Sequence, residues 1–190
     1  PQISERIGDL DIKLSPDAFH QLNTDQMLIL YQEIAKAAGL TGAETVIDCY
    51  SGVGIISLML AKMAAQVVGV DYSEASIRDA KANAILNRIK NVTFIQDRVE
   101  KALPLILAKK GISDVIVFDP PRTGLEDSTI AEVIKSKAKR IVYVSCNPST
   151  LAKNLNDFEA FYDIAFIQPI DMFPHTAGVE SVTLLKRKAA

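Results

Sequence analysis

Apolar and polar positions along this chain follow two periods, and the switches between them mark its elements. Strand-like runs rich in Val and Ile recur at 45–49, 67–71, 92–96, 114–118, 140–145, 163–167 and 181–186. Segments with apolar residues at helical spacing separate the first six, notably 74–86 after Ser73, 99–108, 128–136 and 148–161. An earlier helix is predicted over 24–38 from Met27, Ile29, Leu30, Ile34 and Ala38, with Thr24 as its cap and Gly39 as terminator. Leu10, Ile12 and Leu14 predict a short edge strand. Strands alternating with helices imply βαβ units, hence a parallel sheet covered on both faces. The last pair differs. Between Ile167 and Ser181 lies a loop containing Pro, Gly and His with no room for a crossover helix, so the final strand should return antiparallel.

The bulk numbers narrow the class. A chain of 190 residues with 48% hydrophobic residues reads as one packed domain over 1–190. No apolar run approaches the roughly 20 residues that span a bilayer, and no export signal is visible. Two cysteines, Cys49 and Cys146, outside any CxxC pair suit a reducing, cytoplasmic setting. The chain starts at Pro1 rather than Met, as a fragment or processed product would. A net charge of −2 is not that of a free-standing nucleic-acid binder. The basic clusters at Lys135, Lys137, Lys139 and Arg140, and at Lys186, Arg187 and Lys188, read first as solvated surface.

Candidate chemistry gathers at the predicted strand ends. The run Val46-Ile47-Asp48-Cys49-Tyr50-Ser51-Gly52-Val53-Gly54 leads from a strand into a glycine turn and a helix. Gly52 and Gly54 let the backbone approach a ligand closely. Ser57 stands where a dinucleotide fingerprint wants a third small residue. Asp71 ends the second strand of this unit, where an acid can hold a ribose diol or cap the next helix. Asp97 ends the third, placed to accept from an adenine amino group. Further on, Val144-Ser145-Cys146-Asn147-Pro148 ends a strand on a thiol followed by a favoured N-cap and a favoured first helical residue. A helix start beside Cys146 should lower its pKa and make it a nucleophile. Cys49, within a strand, reads as an inert core thiol.

These motifs resemble the uracil-C5 RNA methyltransferases, which use S-adenosylmethionine to make 5-methyluridine in ribosomal or transfer RNA. The resemblance rests on Phe19-His20-Gln21-Leu22-Asn23, the 48–54 loop, Asp119-Pro120-Pro121-Arg122-Thr123-Gly124, the 143–150 block and the run from Asp171 to Glu180. It covers nearly the whole chain, matched to that family's C-terminal catalytic domain. It implies a class I methyltransferase fold: an α/β, Rossmann-like, seven-stranded, mostly parallel sheet with an antiparallel last strand and helices on both faces. It further implies Cys146 as nucleophile and Glu180 as base, with Gln21, Tyr50, Asp71 and Asp119 at the cofactor and Asp97 as a further candidate. RNA is the implied partner, with DNA and membrane excluded and a monomer expected. N-terminal RNA-binding parts, sometimes with an iron–sulfur cluster, would lie outside this chain. One departure stands out: the family usually has His two residues before the catalytic Glu, where this chain has Gly178.

The chemistry explains why these residue types are needed. Carbon 5 of uracil is a poor nucleophile until a thiolate adds to C6, and a base must later remove the C5 proton. A donor to the uracil carbonyl that gains charge is also required, and Asn147 or a backbone amide is placed to serve. A uridine in folded RNA must first be unstacked. Phe19 and Phe173 read as packing before they read as stacking platforms. His20 and His175 lack a third ligand, so no metal site is expected. An exocyclic-amino methyltransferase of adenine or guanine is the nearest alternative, but it wants an aromatic where Arg122 stands. A nicotinamide oxidoreductase is disfavoured by Ser57 and the reversed last strand. A non-catalytic cofactor-binding module would accommodate Gly178 and the acidic charge.

Overall fold

A computed structural model describes residues 3–16, 23–110, 113–176 and 178–189. The order along the chain is β1 (Ile3–Ile7), β2 (Leu10–Leu14), α1 (Thr24–Ala38), β3 (Thr45–Cys49), α2 (Ile55–Ala61), β4 (Gln66–Asp71), α3 (Glu74–Leu86) and β5 (Val92–Gln96). It continues with α4 (Val99–Lys110), β6 (Val115–Phe118), α5 (Asp127–Ser136), β7 (Arg140–Ser145), α6 (Pro148–Phe158), β8 (Tyr162–Ile170) and β9 (Glu180–Arg187). Among the described residues no helix is long and apolar enough to cross a membrane.

Seven strands form one sheet in the order β5-β4-β3-β6-β7-β9-β8, with β9 antiparallel to both neighbours. This is the class I methyltransferase arrangement expected, with the reversed strand inserted between β7 and β8. Each inner strand is buried on both faces, so it reads as a continuous apolar run whose successive residues enter opposite cores. Val115, Val117, Val142 and Val144 join the core beneath α1, α2 and α3. Ile116, Phe118, Ile141 and Tyr143 join the one beneath α4, α5 and α6. The chain reverses direction between β3 and β6, and the crevice at such a switch point lies outside the carboxyl ends of the strands.

The N-terminal strand differs from expectation in its place. Leu10–Leu14 is not an edge of the main sheet but pairs with β1 in a separate hairpin. Strand β1 escapes sequence reading because Ser4, Glu5 and Arg6 leave little apolar alternation. The edge of β2 is covered by helix side chains acting as a substitute strand. Asn87 accepts from the Asp11 amide at 2.9 Å, Asn83 from the Lys13 amide at 2.8 Å and Asp79 from the Ser15 amide at 2.7 Å. Residues four apart on a helix share a face, and alternate residues of a strand present their amides on one edge. The two periods mesh here, so no buried donor on this edge is left unmade.

Candidate functional site

The turn after β3 shapes the first wall of the site. Tyr50, Gly52 and Gly54 all have positive φ, at 66°, 53° and 88°. The Ser51 amide donates to the Val70 carbonyl at 2.9 Å, and the Gly54 amide closes back on the Ser51 carbonyl at 2.9 Å. The two glycines differ in surroundings. A Cβ on Gly52 would meet nothing within 4 Å, whereas one on Gly54 would stand 2.8 Å from Phe94 Cζ and 3.0 Å from Ala80 Cβ. Gly52 therefore faces open cavity, and Gly54 makes room for helix packing. Ser57 Oγ donates to the buried Asp48 carboxylate, which explains a hydroxyl at the third small position. Burial pushes the Asp48 carboxyl up to about 7 against the Ser57 bond, and Asp119 and Asp71 raise it further.

Asp71, at the end of β4, holds this turn. One of its oxygens accepts from the Gly52 amide at 2.9 Å and the other from the Ser73 amide at 2.8 Å. Both the cap-like and the ligand-facing readings are thus physically open to it, since each carboxylate oxygen keeps a second lone pair. Asp97 is engaged differently. Its Oδ1 accepts from the amide of Arg98 at 2.8 Å, and Arg98, Val99 and Glu100 line the cavity where Asp97 does not. Glu100 accepts from the Tyr50 hydroxyl at 3.4 Å. Burial, reinforced by Glu100, raises the Tyr50 phenol above its ordinary range and keeps it protonated.

The loops after β3, β4, β6 and β7 and the start of β9 enclose one cavity of about 1000 Å³. Tyr50, Gly52, Asp71, Asp119, Arg122, Cys146, Phe173 and Glu180 all line it. Strand order explains how distant residues meet. The β7–β9 ladder ends on Ser145 opposite Ser181, and the same register carried one step further sets Cys146 opposite Glu180. The pair are 34 positions apart in the chain, brought together by the antiparallel return.

The Cys146 loop is stitched to the Asp119–Gly124 loop. Asn147 caps α6 by accepting from the Ser149 amide at 3.0 Å, and its Nδ2 donates to the Arg122 carbonyl at 3.2 Å. Thr150 Oγ1 donates to the same carbonyl at 3.1 Å. One turn on, the buried Asn154 accepts from the Leu125 amide at 2.9 Å and from the Tyr143 hydroxyl at 2.9 Å. A Cβ on Gly124 would lie 2.6 Å from Asn154 Oδ1, so only glycine fits there. The Asn147 amide is engaged at both ends, and its Nδ2 keeps a second hydrogen that can still serve as a donor. One expectation is corrected. The thiol is not lowered: burial raises Cys146 above its ordinary range and Glu180 adds to this, while Arg122 acts the other way.

The acidic groups of the cavity share one cause. Burial pushes Asp119 up to about 6. Burial also pushes Glu180 up to about 7, with Asp119 raising it further and Arg122 lowering it. Glu180, only 6% exposed, is thus poised to exchange a proton near neutral pH. Tyr31, Glu100, Arg122 and Phe173 also line the cavity, and sequence reasoning did not assign them to a site. Arg122 and Phe173 lay inside recognised motifs, but Tyr31, within the helix predicted over 24–38, carried no signal of its own. Gln21 lies outside the described residues, as do Phe19 and His20. Among the described residues no cluster of His, Cys, Asp and Glu could hold a metal ion.

The family model described as tRNA (uracil-5-)-methyltransferase matches residues 8–188. An uncharacterized RNA methyltransferase of Halalkalibacterium halodurans is 50% identical over 184 residues, covering 96% of this chain and 40% of the relative. One of Bacillus cereus is 46% identical over 186 residues, covering 98% of this chain and 40% of the relative. The chain therefore spans about 40% of the length of these curated relatives. Among solved structures, the Pyrococcus abyssi tRNA (uracil-54, C5)-methyltransferase in complex with S-adenosyl-L-homocysteine is similar, with a TM-score of 0.85 and 34% identity. That match covers 97% of this chain and 44% of the other.

Proposed function

This chain belongs to the tRNA (uracil-5-)-methyltransferase family, and from that membership we propose that it methylates C5 of a uridine in RNA, with Cys146 as nucleophile and Glu180 as base. The cofactor is S-adenosylmethionine, which supplies the methyl group as an electrophilic carbon. The residues present fit it. Gly52 leaves the space where a Cβ would project into the cavity, and Asp71 beside it retains lone pairs for a ribose diol. Ser51 Oγ is buried in the same wall without a partner among the described residues, as a group awaiting a ligand would be. Tyr50 and Asp119 complete the proposed cofactor set within the cavity, with Gln21 and Asp97 as further candidates.

The chain's own residues then divide the work. The Cys146 sulfur adds to C6 of the uracil, forming a C–S bond and placing electron density on C5. Arg122, whose charge favours the thiolate, is the group that offsets burial at this step. Once C5 carries the methyl, Glu180 takes the C5 proton, the C6–S bond breaks and the sulfur leaves as thiolate. A carboxyl held near neutrality suits a proton that must come off and later depart to solvent. The RNA, ribosomal or transfer, would be bound largely by parts of the whole protein beyond this chain, since its net charge is −2.

The juxtaposition of Cys146 and Glu180 beyond the last ladder pair, in the cavity that Gly52 opens, carries this reading. An RNA bearing 5-fluorouridine tests it, because fluorine cannot leave C5 as a proton does. Incubation with cofactor should trap a covalent complex, located by mass spectrometry on Cys146 and absent from Cys146→Ala. A bound RNA giving no adduct would overturn the mechanism. Loss of 5-methyluridine positions in transcripts of a deletion strain would identify the uridine.

A further inference from the structure

Helix α3 reaches the proposed cofactor loop and the N-terminal hairpin at once, and a single buried side chain touches both. Asn83 is 0% exposed. Its Oδ1 accepts from the Lys13 amide at 2.8 Å, and its Nδ2 donates to the Lys13 carbonyl at 3.1 Å. The same Nδ2 donates to the Val53 carbonyl at 3.3 Å, between the two glycines of the cofactor loop. An amide nitrogen has two hydrogens, so one is aimed at the hairpin and one at the loop. The neighbouring rungs of the ladder lack this second arm. Asn87 donates to the Asp11 carbonyl at 2.8 Å and to the Asn83 carbonyl at 2.8 Å, and Asp79 accepts both the amide and the hydroxyl of Ser15.

We propose that Asn83 is a positioning residue that couples docking of the β1–β2 hairpin to the cofactor-bound shape of the Gly52–Gly54 turn. The two Lys13 bonds fix the plane of the Asn83 amide. With the plane fixed, its remaining hydrogen points at the Val53 carbonyl and holds the turn between Gly52, open to the cavity, and Gly54, pressed against Ala80 and Phe94. Undocking the hairpin removes both bonds to Lys13, frees the amide to rotate, and leaves the buried Val53 carbonyl without its side-chain donor. Linkage makes the effect reciprocal: a ligand that favours the held turn favours the docked hairpin by the same factor. The inference rests on the assignment of this turn to the cofactor.

Hydrogen exchange and calorimetry on the full chain, with S-adenosylhomocysteine as probe, test it. In the unmodified protein the ligand should slow exchange of the 51–54 amides and, with them, the Lys13 amide. Asn83→Ala should weaken binding about 5- to 10-fold, as losing one buried hydrogen bond implies, and Lys13 exchange should become indifferent to the ligand. In turnover, KM for the methyl donor should rise while kcat stays within about twofold, since no reacting group is touched. Asn87→Ala loosens the hairpin at Asp11 without touching Val53 and should keep affinity within about twofold. Protection of 51–54 without protection of Lys13 overturns the coupling, as do equal affinities in the two variants. Protection of neither segment overturns the loop assignment, and the coupling with it. The comparison in the unmodified protein stands even where Asn83→Ala fails to fold.

Discussion

Cys146 and Glu180 are the first two residues beyond the end of the β7–β9 ladder, set opposite one another by the register that pairs Ser145 with Ser181. Placing a thiol and a carboxyl just past the last pair of an antiparallel ladder brings both to one cavity. It also makes the thiol answer to the carboxyl's charge. Burial raises both groups, Glu180 adds to the rise at Cys146, and Arg122 works against both.

Alkylation should read this relationship directly. A carboxylate beside a thiol disfavours the thiolate, and a guanidinium favours it. Glu180→Gln should shift the pH profile of iodoacetamide reaction at Cys146 to lower pH, and Arg122→Gln should shift it to higher pH. Cys49, fully buried, should stay unreactive in the folded protein and serve as the internal control. Coincident profiles for the two variants would refute the electrostatic account.

The same carboxyl should cost stability at alkaline pH. Folding raises Glu180 from an ordinary 4.5 to about 7, so the folded state binds its proton more tightly than the unfolded state. Its contribution is fully present below the unfolded value and is lost as pH rises through about 7. Glu180→Gln removes the ionisation. Urea unfolding near pH 8 should find that variant more stable by roughly 2 kcal/mol, after discounting for solvent reaching the cavity wall. Near pH 5 the difference should shrink towards zero. Activity should be lost at both.

The two glycines of the turn after β3 should fail in different ways. Gly52→Ala incurs only the left-handed backbone penalty of about 1 kcal/mol, because its Cβ meets no protein atom. Its Tm should fall slightly while affinity for S-adenosylhomocysteine falls strongly. Gly54→Ala adds a clash with Phe94 and Ala80 to the same penalty, so about 2–4 kcal/mol of stability should go. Thermal unfolding and calorimetry on both variants separate the effects.

The βαβ framework was legible because parallel strands buried on both faces are written as apolar runs, and Glu74–Leu86 carries its own cap in Ser73. The site was legible only in part. Cys146 declared itself through the strand end and the Asn147-Pro148 helix start, and that helix does begin there. Its pKa did not follow, because burial and a carboxylate from a different strand depend on register rather than on neighbours in sequence. The hydrogen bond from Asn147 to the Arg122 carbonyl, 25 positions away, has no local signature either. Asn83 and Asn87 carry no local signal of their bonds to the hairpin. Only the docked hairpin reveals them as rungs.

Asn154 offers the sharpest test of how the Cys146 loop is held. It is 2% exposed, on the second turn of α6, and its amide meets both the N–H and the C=O of Leu125 together with the Tyr143 hydroxyl. Asn154→Ala strands three buried polar groups, which should lower stability by about 2–4 kcal/mol in urea unfolding. Asn154→Asp keeps the acceptor for Leu125 and Tyr143 and loses only the donor, so about 1–2 kcal/mol is expected before any cost of the charge. Because the Leu125 bonds anchor the end of the Asp119–Gly124 loop, both variants should also release Arg122 from its place beside the thiol. Cys146 alkylation should then move to higher pH, as in Arg122→Gln. A stability loss with an unmoved alkylation profile would mean that Asn147 and Thr150 alone hold Arg122 in place.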